Sequence, residues 1–293
     1  METNLRQGNA KVRVTGYVSD INLEEKTDDK GKKITGSLTV KTSDTNFVQF
    51  NVNVNEKKKD GTDNKTYAGI KTVMNEYKSI EKDGADEADI VHVSGDVNPF
   101  RSQNTGQEII GYKSNFFNRI KNPDEFVFGN DDNAEFNIEL FIKNITPEIS
   151  TEGEETGRVL VNGWLPTYNG IEPITLIAPE DDGIADAVTN TFESGQTAEF
   201  FGNVVNTRIV TTKEIPVAIG KPRIEKKTTY KNELIISGAS EPYEDGVSEN
   251  APYDADSIKA AIAERENEIS AQKNNSSKQT TPSGKAHGRS LGF

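Results

Sequence analysis

Ile90-Val91-His92-Val93-Ser94-Gly95-Asp96-Val97-Asn98 and Ala198-Glu199-Phe200-Phe201-Gly202-Asn203-Val204-Val205-Asn206 align around a glycine set inside a strand-like alternation. Each is followed by a further apolar segment, Ile109-Ile110-Gly111 in one case and Leu234-Ile235-Ile236-Ser237-Gly238 in the other. The spacing of roughly a hundred residues is too long for a solenoid and suits a duplicated domain.

Working outward from the first segment, Val12, Val14, Gly16 and Val18 alternate with Arg13, Thr15 and Tyr17, the period of a half-buried strand. Ile34 to Val40 alternates again, and in Phe47 to Val54 the residues Val48, Phe50, Val52 and Val54 would face a core. Ile70, Val73, Met74 and Tyr77 fall at helical spacing, predicting a helix over Tyr67 to Ile80. Strands are predicted at Ile90 to Val97 and Glu108 to Phe117, separated by turn signals at Asn98-Pro99 and Asn104-Thr105-Gly106.

The same order recurs around the second segment. Strands are predicted at Phe136 to Ile145, Val159 to Trp164, Ile171 to Ala178, Thr197 to Thr211 and Thr229 to Ser237. A helix beginning near Ile184 is expected to be capped by Asp181-Asp182. The predicted class is therefore mainly β: two tandem OB-like five-stranded barrels, each with one helix between strands three and four. Glycines inside strands, such as Gly16, Gly36, Gly95 and Gly111, suit strongly curved barrels.

The predicted domains are 1–122 and 134–240, joined by a linker over 123–133. Residues 241–256 form an acidic linker, 257–271 a helix capped by Asp254 or Asp256, and 272–293 a disordered tail rich in Asn, Ser, Lys and Thr. Lys213 to Lys227 is expected as a basic loop between strands four and five of the second barrel, where an OB fold borders its cleft.

The 293 residues carry 47 acidic and 34 basic side chains, for a net charge of −13, and no cysteine. That balance counts against coating duplex DNA by charge alone, although acid gathered outside a basic groove does not. Without cysteine there are no disulfides or thiolate metal sites, and a reducing cytoplasm is the expected setting. No apolar run has the length of a signal peptide core or a membrane span. No phosphate-cradling loop, metalloprotease helix or nucleophile elbow is present. His92 reads as a surface strand residue and His287 as a tail residue, so neither an enzyme nor a cofactor or metal is expected.

The candidate binding residues are outward aromatics and cations. In the first copy these are Tyr17, Phe47, Phe100, Arg101, Tyr112 and Lys113, with Lys57, Lys58 and Lys59 in a neighbouring loop. In the second they are Trp164, Lys221 and Arg223. Aromatic platforms for bases beside a basic groove for the backbone are the means of non-specific single-strand binding. The aromatics fit equally a set of rings packed under loops, Trp164 fits a core position as well as a platform, and the lysine triplet fits a solvated loop.

Over residues from about 10 to 238 the strand order, and the piece Val91-His92-Val93-Ser94-Gly95-Asp96-Val97 with its following turn and last strand, resembles single-stranded DNA-binding proteins of the OB class, in particular phage-type ones. The resemblance implies a protein that coats and protects single-stranded DNA in phage or mobile-element replication or recombination. Bacterial members of that class dock replication and repair partners through an acidic tip ending in phenylalanine. Here Phe293 ends Gly288-Arg289-Ser290-Leu291-Gly292-Phe293 without acids, and the acidic run lies upstream at Glu241 to Asp256. The alternative reading is a structural or assembly protein built from β-barrels, which the acidic balance favours.

Overall fold

The computed structural model describes residues 5–278 apart from 30, 123–125, 216–222 and 249. Its first half runs β1 (Ala10–Asp28), β2 (Gly31–Lys41), β3 (Phe47–Asn55), α1 (Lys65–Glu76), α2 (Ile80–Asp83), β4 (Ile90–Arg101), β5 (Glu108–Lys113) and β6 (Phe117–Arg119). The second half runs β7 (Ala134–Ile149), β8 (Glu155–Thr167), β9 (Gly170–Ala178), α3 (Ile184–Thr191), β10 (Thr197–Ile215) and β11 (Arg223–Ala239), and α4 (Ala255–Lys278) follows.

The pairings of the first half form a circuit. β1 pairs with β2, β2 with β3, β5 with β4 and β4 with β1, all antiparallel, and a short parallel contact (Phe50 opposite Tyr112, Asn51 opposite Lys113) links β3 to β5. The second half repeats this order through β7, β8, β9, β11 and β10, its parallel link being the single pair Ile235–Ile177. Both circuits belong to one eleven-stranded sheet, because β1 also pairs antiparallel with β7 from Ala10–Ile138 to Val14–Ala134.

Alternation explains the individual strands. In β3, Val48, Phe50, Val52 and Val54 are buried while Gln49, Asn51 and Asn53 are exposed. In α1, Tyr67, Ile70 and Val73 are buried, and the Asn64 side chain accepts from the Thr66 N–H to cap the first turn. These residues belong to a hydrophobic cluster that continues through Phe136, Ile138, Leu140, Phe200 and Leu234 of the second half.

The two glycines that anchor the repeat have the same structural reason. A Cβ on Gly95 would lie 2.5 Å from the Lys113 carbonyl oxygen, and one on Gly202 would lie 2.0 Å from that of Ile235. In each half the fourth strand presses on the backbone of the fifth strand, β5 or β11, and only glycine allows the approach.

Several expectations need correction. The first half has a sixth strand, β6, paired with β4. The predicted strand Glu108 to Phe117 breaks where Ser114 Oγ accepts from the Phe116 N–H and donates to the Ser94 carbonyl. The predicted helix over Tyr67 to Ile80 ends at Glu76, and α2 follows. Asp181 and Asp182 form a 3-10 turn with no side-chain cap on α3. The ends of the basic segment predicted as a loop are strand, since β10 and β11 stay paired as a long ribbon out to Ile215 opposite Arg223, and its middle, 216–222, lies outside the described residues. Helix α4 runs from Ala255 to Lys278 rather than over 257–271, and Asp254 caps it, its carboxylate accepting from the Ser257 N–H at 2.8 Å. The remainder of the predicted tail, 279–293, lies outside the described residues.

Candidate nucleic-acid interface

Period two on β2 and β3 turns Thr39, Phe47, Gln49 and Asn51 away from the core, and these residues form one wall of a groove of about 350 Å³. The β4–β5 hairpin makes the lip. There Phe100 and Ile109 sit opposite one another, each 38% exposed. Gly111 makes room for this lip, since a Cβ there would lie 2.9 Å from the Phe100 ring. Asn206 and Asn232 of the β10–β11 ribbon close the far side.

The ribbon is fastened to the first half at several points. Asn46 Nδ2 donates to the Val204 carbonyl at 2.9 Å, and Asn46 Oδ1 accepts from the Asn206 N–H at 2.7 Å. The Arg208 N–H donates to the Thr45 carbonyl at 3.0 Å, and Asn232 Nδ2 donates to the Ile110 carbonyl at 3.0 Å. This fastening brings the Arg208 guanidinium 5.5 Å from the centre of the Phe47 ring. Lys41 Nζ lies 5.7 Å from the same ring and 5.2 Å from the ring of Phe128, which is itself exposed. Both cations are within cation–π range. Phe128, Lys41, Phe47 and Arg208 thus form a row of alternating rings and cations leading into the groove.

Of the residues singled out from sequence, Phe47 and Phe100 line this groove. Tyr112 is a correction: its side chain is 2% exposed, it packs on Phe50 with ring centroids 6.1 Å apart, and burial pushes its phenol pKa up. It forms the groove's floor rather than a stacking platform. Arg101 is tied to Glu108 at 2.9 Å. Lys113 is exposed and lines an adjoining hollow. Tyr17 lies outside the groove, half-buried against Phe126 and Phe128 at 5.5 and 5.8 Å. Lys57 pairs with Asp63, and Lys58 and Lys59 are exposed in the turn beyond the end of β3, away from the groove. Trp164 is half-buried against the small cluster Phe141, Ile171, Tyr253, Ile258 and Ala261 beneath α4, with Lys143 Nζ 5.8 Å from its ring. Arg223 is exposed on the ribbon, and Lys221 lies outside the described residues.

Sequence reasoning missed Lys41, Arg208 and Phe128. Arg208 and Phe128 come from segments far from Phe47 in the chain, so no local pattern marks them, whereas Lys41 sits directly opposite Phe47 in the β2–β3 pairing. Among the described residues, no group of three or more His, Asp or Glu side chains is placed to hold a metal ion. No helix among them is long and apolar enough to cross a membrane.

The chain is thus mainly β, with an open aromatic groove beside the β10–β11 ribbon. The YorF family model matches residues 9–275, and the chain belongs to that family. No curated protein matches it. Among solved structures, the chain is similar to the wild-type single-stranded DNA-binding protein of Thermus aquaticus, with 8% identity, 84% of this chain and 98% of that chain covered, and a TM-score of 0.49. It is also similar to a deletion mutant of the same Thermus aquaticus protein, with 10% identity, 83% and 99% coverage, and a TM-score of 0.48.

Proposed function

We propose that this chain binds single-stranded DNA in the groove between β2–β3 and the β10–β11 ribbon. Each circuit of five strands is read here as an OB-like barrel, the first within 1–122 and the second within 134–240. In such folds the face of strands two and three and the loop between strands four and five hold oligonucleotides. The observation that carries the reading is the Phe47 ring, open to the groove and flanked by Lys41 and Arg208. A ring offers a stacking face to any base, and a cation beside it neutralises the adjoining phosphate.

The net acidity does not oppose this reading. Residues 206–233 of the sequence hold seven basic and three acidic side chains, whereas 241–256 hold six acidic and no basic ones. Of these basic residues Arg208 stands beside the groove at Phe47, and the acidic run belongs to a separate segment of the chain. The biological role inferred is protection of single-stranded DNA in phage or mobile-element replication or recombination, with protein partners contacting the C-terminal region.

Retention of oligo-dT, duplex DNA and RNA by the full chain in a gel-shift series tests the reading. Salt-sensitive retention of the single strand in preference to the duplex supports it. Absence of any retention at low salt overturns it in favour of a structural or assembly protein.

A further inference from the structure

The outer face that carries the groove does not stop at the first circuit. From Asn51, which lines the groove, the strand register runs sideways through Lys113, Asp96 and Lys11, then across the β1–β7 pairing to Asn137 and on to Phe201. Successive partners in a sheet share a face, so these residues form one row over six neighbouring strands. Five steps of about 4.8 Å give a row of roughly 24 Å.

Two hollows lie along it. The first, about 640 Å³, takes in Asn51 together with Lys113 and Phe116, and the second, about 300 Å³, takes in Phe201. Lys11 and Arg13 line both, so the two meet at the seam between β1 and β7. Phe116 is 60% exposed and Phe201 43%, one on each side of the seam. Arg13 and Lys113 form no ion pair with any described residue. Acid is present too: Asp96 pairs with Lys11 at 2.7 Å, and Asp132 and Glu135 line the second hollow.

We infer that single-stranded DNA bound at Phe47 continues over this seam, stacking on Phe116 and Phe201 with its backbone held by Arg13 and Lys113. The inference rests on the proposed function and extends it to both halves of the chain. Two exposed rings separated by unpaired cations match the alternating base and phosphate of a nucleic-acid strand. A protein partner would instead call for a contiguous apolar patch, which the charged and amide side chains between the rings interrupt.

The test compares the full-length wild type with Phe116→Ala/Phe201→Ala and, separately, with Arg13→Gln. Each is titrated with an oligo-dT of about 6 nucleotides, short enough for one barrel face, and one of about 30. Wild type should bind the long oligomer more tightly. The double variant should bind the short oligomer as wild type does and the long one at least about 30-fold more weakly, the loss expected for two stacks. Arg13→Gln should lower the slope of log K against log salt for the long oligomer by about 0.7, one phosphate's worth. Long-oligomer affinity and salt slope both unchanged would overturn the inference, as would equal losses for the two oligomers in variants whose circular dichroism and thermal unfolding match wild type. A wild type that binds neither oligomer would instead remove the functional reading beneath it.

Discussion

Phe47 is the residue on which the binding groove turns. Its ring lies on an outward position of β3, between Lys41 and Arg208, and nothing in the core depends on it. Phe47→Ala should therefore leave the unfolding midpoint close to wild type and weaken oligo-dT binding by about 5- to 150-fold, the span of one stack at about 1–3 kcal/mol. Tyr112 separates packing from binding at the neighbouring position. It fills the core against Phe50, so Tyr112→Ala should cost about 3–5 kcal/mol of stability, read as a lowered urea midpoint, before any effect on DNA is measured. Gly202→Ala makes a third case, because its Cβ would meet the Ile235 carbonyl and the strand must move. Its expected outcome is a loss of more than about 2 kcal/mol in chemical unfolding, whereas an unchanged midpoint would mean that the β10 bulge at Phe201–Gly202 can relax freely.

Among the elements, the β10–β11 ribbon positions the most and was the least legible in the sequence. β3 could be read directly because one of its faces is buried, so Val48, Phe50, Val52 and Val54 carry the period. The outer ribbon has no such record: near its end Lys213, Arg223 and Glu225 are exposed, and hydrogen bonding rather than burial keeps the strands paired. Tyr112 was misplaced for a related reason. A strand of six residues shows too little alternation to tell its two faces apart, and the parallel pairing of Phe50 with Tyr112 decides the matter. Phe47 and Phe100 were legible as outward aromatics, but their cations came from Lys41 and the distant Arg208. Asn46 is what brings Arg208 there. Asn46→Ala leaves the Asn206 N–H and the Val204 carbonyl without their partner, at about 1–3 kcal/mol if they stay dry. Hydrogen exchange should then accelerate over residues 204–208 and oligo-dT affinity should fall, although no groove side chain has changed.

For the molecule as a whole, the C-terminal segment acts as a strap over both halves. Tyr253, Ile258 and Ala261 cover Phe141 and Ile171, and Arg265 reaches Glu172 on β9 and Glu108 on β5, each at 2.8 Å. Glu108 adjoins Ile109 on the groove's lip, so the strap touches the hairpin that frames the candidate site. The chain's single tryptophan reports on this contact. Trp164 lies at the edge of the cluster beneath α4 and is not among the residues lining the groove, so stacking of a base on it is not the expected signal of binding. Its emission should change little when oligo-dT is added, while tyrosine emission or gel retardation follows the binding. Ile258→Asp places a charge in the cluster and should lift the strap, at a cost of about 2–4 kcal/mol. Trp164 emission should then move to longer wavelength at temperatures where circular dichroism still shows an intact sheet. A strong quench of wild-type emission by DNA, with no shift in Ile258→Asp, would place Trp164 in the binding path and the strap elsewhere. If the strap also holds the lip, Ile258→Asp should bind oligo-dT more weakly than wild type, and Arg265→Gln should do so to a smaller degree, because its ion pairs are partly exposed and each contributes at most about 1 kcal/mol.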